Sequence, residues 1–224
     1  MSLIVKICGL STEETLDAAL DAGADMIGLN FFPPSPRYLS LDAGKRLADR
    51  ARGRAEIVAL SVDMDDAGLA EIVDALRPDW LQLHGRDSPE RTAAVRARFP
   101  AKLMKAVHVA VAADLARAAD YAEAADCILL DATPPKGATR PGGLGTPFDW
   151  TILRSFHPAK PYLLSGGLNP GNVAEALRIS RAPGVDVSSG VETTPGKKSS
   201  DLIRAFIAVA RRAAVAAEPE RAAS

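Results

Sequence analysis

Residues 126–131 read DCILLD, four apolar side chains held between two aspartates. The run is too brief for an independent helix. Its apolar residues are consecutive, as in a strand covered on both faces. The same look recurs along the chain: LIVKI (3–7), DMIGLNF (25–31), EIVALSV (56–62), DWLQLH (79–84), KLMKAV (102–107), PYLLS (161–165) and GVDVSS (184–189). Between these runs lie helical stretches. Residues 12–22 carry Leu16, Ala19 and Leu20 on one stripe, with Ser11 and Glu14 read as a capping box. In SPER, Ser88 takes the cap and Pro89 the first helical position; NPGN offers Asn169 and Pro170 in the same roles. DLIRAFIAVA sets Ile203, Phe206, Ile207 and Ala210 on one face.

Eight strand–helix units in 224 residues predict an α/β fold: a single-domain closed (β/α)8 TIM barrel spanning residues 1–212. The Ala- and Arg-rich remainder, 213–224, reads as a disordered C-terminal tail. The competing architecture is an open doubly wound sheet. It is disfavoured because no strand runs into a complete G-x-G-x-x-G turn; GGLG (142–145) lacks that spacing.

Composition narrows the function. A formal net charge of −1 with no basic run argues against a nucleic-acid partner. No stretch approaches the roughly 18 apolar residues of a membrane span, and the first ten residues lack an export signal. Cys8 and Cys127 have neither zinc-site spacing nor the makings of a disulfide framework, which fits a reducing cytoplasm and no metal. No apolar stripe lies outside the expected strand and helix faces, which favours a monomer.

Strand residues alternate faces, so parity sorts them. Ile4, Lys6 and Cys8 share one face; so do Gln82 and His84; so do Cys127, Leu129 and Asp131; so do Asp186 and Ser188. The polar class is expected to line the barrel axis. Leu81, Leu83, Ile128, Leu130, Val185 and Val187 are expected to meet the helices. Buried polar groups need partners, and strands one and eight are neighbours in a closed barrel. Lys6 is therefore expected beside Asp186, where its charge would favour a thiolate at Cys8.

Barrel active sites gather at the carboxyl ends of the strands. Taken singly, Cys8 is a small buried hydrophobe, Asp131 a helix cap or a loop solvator, and His84 a structural histidine. Together, at the mouths of strands one, six and four, they point to chemistry. SGGLNPGN (165–172) and SSGVE (188–192) follow the last two strands, where barrels often bind phosphate. Gly166, Gly167, Asn169, Ser189 and Gly190 are the phosphate candidates, since glycine admits close approach of backbone N–H groups to an anion. Arg37, at the tip of the proline-stiffened FFPPSPRYLS loop (31–40), is placed to grip a carboxylate through two parallel hydrogen bonds.

Seven stretches carry a resemblance: KICGL (6–10), SPRYLS (35–40), LQLHG (81–85), LLDA (129–132), GGLGTPFDW (142–150), LLSGGLNPGNV (163–173) and VDVSSGVETTPGKKS (185–199). Their identity and order resemble the phosphoribosylanthranilate isomerase family of tryptophan biosynthesis, over nearly the whole chain to about residue 210. ALSVDMDD (59–66) departs from the family's usual pattern but touches no catalytic position. The resemblance implies an Amadori rearrangement of N-(5-phosphoribosyl)anthranilate to 1-(2-carboxyphenylamino)-1-deoxyribulose 5-phosphate. It implies Cys8 as base and Asp131 as acid, with no cofactor. Free Asp and Cys titrate near ~3.9 and ~8.5, so the barrel is expected to raise the first and lower the second. Substrate binding falls to Arg37, His84, Gln82, Lys6 and Asp186, with Gln82 beneath a positioning His84. The 133–150 loop is expected to fold over the ligand. Two alternatives remain: a histidine-pathway aminoaldose–ketose isomerase, which would use two carboxylates, and a phosphometabolite-binding barrel without chemistry.

Overall fold

The computed structural model describes residues 3–134 and 147–222. Eight parallel strands close into a barrel in sequence order: β1 (Ile4–Cys8), β2 (Met26–Asn30), β3 (Glu56–Ser61), β4 (Trp80–Leu83), β5 (Lys102–Val109), β6 (Cys127–Ala132), β7 (Tyr162–Leu164) and β8 (Gly184–Val187). Closure is made by β8 on β1, with Lys6 opposite Asp186 in register. Outside the strands lie α1 (Glu13–Asp21), α2 (Leu41–Ala51), α3 (Asp66–Leu76), α4 (Pro89–Arg98), α5 (Ala116–Ala119), α6 (Val173–Ser180) and α7 (Ser200–Ala222).

Parity sorts the side chains as the alternation predicts. Leu81, Leu83, Ile128, Leu130, Val185 and Val187 join the helix-facing core with Leu16, Leu69, Phe206 and Ile207. A separate apolar cluster fills the lower barrel: Met26, Val58, Trp80, Met104, Ala106, Cys127, Leu129 and Leu163. Above it the interior turns polar, with Lys6, Gln82, His84 and Asp186 all buried.

The amino-terminal floor repeats one device. Asp25, Asp79 and Asp126 each stand immediately before β2, β4 and β6. Their carboxylates accept the strand N–H of Val5, Ile57 and Leu103 at 2.6, 2.8 and 2.9 Å. Their own N–H groups return bonds to the carbonyls of those same three residues, at 2.9, 3.0 and 2.8 Å. Each clasp gives the N–H of a buried strand residue a side-chain acceptor.

Several local expectations shift. The cap of α1 is Thr12, whose hydroxyl accepts from Thr15 N–H, and not Ser11 with Glu14; the helix starts one residue later. Ser88 and Pro89 cap α4 as predicted. Asn169 caps no helix: its side chain accepts from Gly171 N–H inside the loop, and α6 begins after Asn172. The fifth and sixth connections are thin. A 3-10 turn (Ala112–Leu115) precedes the one-turn α5, and a 3-10 helix (Trp150–Ser155) stands before β7 where a sixth α-helix was expected. A small antiparallel pair, β9 (Glu192–Thr194) with β10 (Lys197–Lys198), follows β8. α7 runs on to Ala222, through most of the stretch read as a disordered tail; Ala213 and Ala214 pack on the core, and alanine favours helix. The loop expected to close over the ligand, including GGLG, lies mostly at 135–146, outside the described residues.

Candidate active site

The predicted Lys6–Asp186 pair is present. Lys6 Nζ donates to Asp186 Oδ1 at 2.7 Å, and Ser165 Oγ donates to Oδ2 at 2.9 Å. Lys6 is fully buried. Burial alone would lower its pKa, but Asp186 and Cys8 reverse that and hold it above the ordinary lysine value. Such a cation has no escape to water, so its charge is a permanent feature of the barrel interior.

One layer up, Cys8 ends β1 and is 5% exposed. Gly28 stands opposite it in register, and a Cβ there would come within 2.8 Å of Cys8 Sγ; glycine makes the room the thiol needs. The expected depression of the thiol does not occur. Burial pushes the Cys8 pKa up; Lys6 pulls it down, Asp186 pushes it up again, and Lys198 and Arg37 pull it down without prevailing. The expectation counted the lysine and not the carboxylate that neutralises it. Cys127, in the lower apolar cluster, is pushed by burial to about 12 and is inert packing.

Arg37 is not at a solvated loop tip. It is buried, its stem lies over Gly9 (φ 76°), and Nε and Nη2 donate to the two carboxylate oxygens of Glu192 at 2.6 and 2.7 Å. Lys198 Nζ shares Glu192 Oε1 at 2.8 Å and also donates to Ser188 O at 2.9 Å. Burial lowers Lys198 to about 8, although Glu192 opposes the shift. The loop thus presents a guanidinium whose fork is already filled. Its position beside Cys8 is set by the β9–β10 pair, which the sequence reading did not foresee.

Across the rim, Gln82, His84 and Asp131 form a chain. Gln82 Nε2 meets His84 Nδ1 at 2.9 Å, and His84 Nε2 meets Asp131 Oδ2 at 3.1 Å. Asp131 Oδ1 accepts from Ala132 N–H at 3.0 Å. His108, opposite Asp131 in register, stands edge-on to His84 with ring centroids 5.6 Å apart. Burial, then the nearby His84, lowers the His108 pKa. The fifth apolar run, KLMKAV, ends at residue 107 and does not itself reach His108. Continuing the alternation of Met104 and Ala106 places it inward.

The two glycine loops are interlocked. Gly166 (φ 83°) and Gly167 (φ 69°) take left-handed backbone, and their N–H groups make no hydrogen bond among the described residues. A Cβ on Gly190 would lie 1.8 Å from Leu168 O, so the loop after β8 passes directly against the loop after β7. Ser189 and Gly190 sit in a 3-10 turn, Ser189–Val191. Asn169 faces its own loop, and its amide N–H is taken by Asn172 Oδ1 at 2.8 Å. All the predicted site residues therefore lie at one end of the barrel or in the layer beneath it. Apart from the two glycine loops, they form two groups: Lys6, Cys8, Arg37 and Asp186 on one side, joined by Ser165, which sequence reasoning did not single out, and Gln82, His84 and Asp131 on the other. The join between the two groups is tight, since a Cβ on Gly166 would lie 2.4 Å from Ala132 N.

Comparison with known proteins identifies the family. The family profile described as N-(5'phosphoribosyl)anthranilate (PRA) isomerase matches residues 5–209. A relative named N-(5'-phosphoribosyl)anthranilate isomerase from Rhodopseudomonas palustris (strain HaA2) is 60% identical over 211 residues, covering 94% of this chain and 97% of its own. One of the same name from Afipia carboxidovorans is 60% identical over 219 residues, covering 98% and 94%. Among solved structures, phosphoribosyl anthranilate isomerase from Thermotoga maritima superposes with a TM-score of 0.85 at 34% identity, covering 94% of this chain and 99% of that one. A phosphoribosyl anthranilate isomerase complex with reduced 1-(o-carboxyphenylamino)-1-deoxyribulose 5-phosphate gives 0.81 at 33% identity, covering 94% and 99%.

Proposed function

From the fact that the chain belongs to the N-(5'-phosphoribosyl)anthranilate isomerase family, we propose how its rim carries out that isomerisation. The chain is an aldose–ketose isomerase of tryptophan biosynthesis, taking N-(5'-phosphoribosyl)anthranilate to 1-(2-carboxyphenylamino)-1-deoxyribulose 5-phosphate. Asp131 is the general acid and Cys8 the general base.

The substrate phosphate sits against the N–H groups of Gly166 and Gly167, with Ser189 and Gly190 closing the cradle from the neighbouring loop and Asn169 holding its shape. Asp131 protonates the furanose ring oxygen, the C1–O bond breaks, and the anilino nitrogen lone pair forms an iminium. Cys8 removes the C2 proton, and the electron pair moves into the enolamine. Tautomerisation gives the ketone. Acid and base hold one proton between them before and after transfer: carboxylic acid with thiolate, then carboxylate with thiol. The thiol of the free enzyme is thus one proton shift from the reactive form. The positive iminium supplies the nearby charge that the neutralised Lys6 does not. His84 fixes one oxygen of Asp131, and Gln82 fixes His84. Lys6 and Asp186 form the dry support beneath Cys8.

Arg37 lies on the Cys8 side, and its remaining Nη1 is the group left to meet the anthranilate carboxylate while Glu192 holds the other edge. Among the described residues the exposed large apolar side chains, Tyr38, Val111 and Val215, lie in three separate segments, which supports a monomer. No helix among the described residues is long and apolar enough to cross a membrane, in keeping with a cytoplasmic enzyme. The barrel of residues 1–212 is the functional unit, and we assign it no metal or cofactor requirement.

The observation that carries the assignment is a carboxylate held by His84 on the same rim as a buried thiol. Cys8→Ser and Asp131→Asn should each lower kcat by about 10²–10⁴, with far-UV circular dichroism and Tm close to wild type. Turnover near wild type in either variant removes that residue from the mechanism.

A further inference from the structure

We propose that His84, His108 and Asp131 form a binding site for a divalent transition cation, zinc, cobalt or nickel, at the mouths of β4, β5 and β6. Each residue contributes one donor atom, and all three lie within 4.8 Å of one another. A tetrahedral zinc with bonds near 2.0–2.1 Å needs donor–donor separations of about 3.3 Å. The His84–Asp131 contact, 3.1 Å, has only to open slightly. The widest separation has to contract by about 1.5 Å, which side-chain rotation supplies. Two imidazoles and one carboxylate suit these cations and not magnesium or calcium, which prefer oxygen alone.

Two buried atoms without hydrogen-bond partners among the described residues point the same way: His108 Nδ1 and Gln82 Oε1. His108 Nδ1 is an unused donor on the cluster. Gln82 Oε1 becomes useful when the amide turns over. It then accepts a hydrogen bond from His84 Nδ1–H, which fixes the tautomer whose Nε2 carries the lone pair a metal requires. A metal-bound histidine with its second nitrogen so engaged is a recurrent arrangement. The fourth position is left to water.

The cation ties up the Asp131 carboxylate, so it inhibits isomerisation and is displaced by a chelator. That consequence rests on the acid role given to Asp131; the binding does not. The experiment titrates the full chain with cobalt(II) and follows visible absorption. One cobalt per chain is expected, with no sulfur-to-metal charge-transfer band. Binding should persist in Cys8→Ser and weaken at least tenfold in both His108→Ala and His108→Asn, the second keeping a polar group at the position. Absence of binding, unchanged affinity in the folded His108 variants, or loss of binding in Cys8→Ser overturns the site. In parallel, zinc should inhibit wild type and EDTA restore it. His108→Ala, outside the acid–base mechanism, should keep its turnover and resist the same zinc concentration. Cobalt binding as described without zinc inhibition upholds the site and overturns the assignment of Asp131 as the acid.

Discussion

Replacing Asp186 with Asn tests how the barrel interior sets the state of Cys8. The change is nearly isosteric: the amide oxygen still accepts from Lys6, and the amide NH2 reverses the Ser165 bond by donating to its hydroxyl, in place of the two acceptor contacts at 2.7 and 2.9 Å. What it removes is the carboxylate that, alone among the described residues, hydrogen-bonds to the fully buried Lys6 ammonium. Breaking such a pair from one side costs about 3–5 kcal/mol; the retained hydrogen bond places this variant near the lower figure. For a domain of this size that is a fall in Tm of about 10 °C. The thiol should respond in the opposite sense. Asp186 now pushes the Cys8 pKa up and Lys6 pulls it down, so Asp186→Asn should leave the thiol more acidic. Iodoacetamide labelling of Cys8 at pH 7.5 should be faster than in wild type, with Cys127 as the unreactive internal control. Adding Lys6→Met should recover part of the stability and slow the labelling again. A stability loss below about 1 kcal/mol, or labelling no faster than wild type, refutes the account.

Gly190→Ala should drop stability sharply and weaken binding of inorganic phosphate, because the new Cβ would lie 1.8 Å from Leu168 O, a backbone atom with little freedom to move; calorimetric titration and thermal melting read both. Lys198 titrates near 8 in the folded protein against 10.5 as its unperturbed value. Below pH 8 it is charged in both states. Between about 8 and 10.5 only the unfolded chain holds its proton, so stability should rise with pH there. Relative to Lys198→Met, wild type should gain on the order of 3 kcal/mol in urea unfolding between pH 7.5 and 10.5; a flat or falling difference contradicts the burial of that ammonium. Asp79→Ala removes the clasp on Ile57 N–H and should cost about 1–2 kcal/mol with kcat unchanged, measured by melting and by steady-state assay.

Much of this architecture was readable because strand periodicity is a local signal. Parity put Gln82 and His84 on one face, and parity with barrel closure and the need of buried charges for partners put Lys6 against Asp186. The helix on Ile203, Phe206, Ile207 and Ala210 was legible for the same reason. What escaped was tertiary. Arg37 and Glu192 stand 155 positions apart, so a guanidinium that looks solvated along the chain is filled in space. The thiol's pKa depends on a balance of five opposing influences, and the sign was lost once a single neighbour was considered. Asn169 illustrates a closer competition: an Asn–Pro pair signals a helix start, yet the side chain finds Gly171 N–H first and the helix waits until Val173. His108 lies just past the end of KLMKAV, although β5 runs on to Val109.

The floor clasps join β1 to β2, β3 to β4 and β5 to β6, whereas no aspartate clasp of this kind is seen among the described residues at the β2–β3 and β4–β5 joints, which carry backbone bonds from Glu56 N–H to Asp25 O and from Lys102 N–H to Asp79 O. The ring is thereby assembled from two-strand modules, and it matters where the polypeptide is cut. Gly23 and Gly53 are both open left-handed turns with nothing crowding them. Relocating the termini to Gly53 keeps every module covalently whole. Relocating them to Gly23 frees the residues next to Asp25 and unfastens the first module from within, so circular permutants of equal loop exposure should differ in how readily they fold.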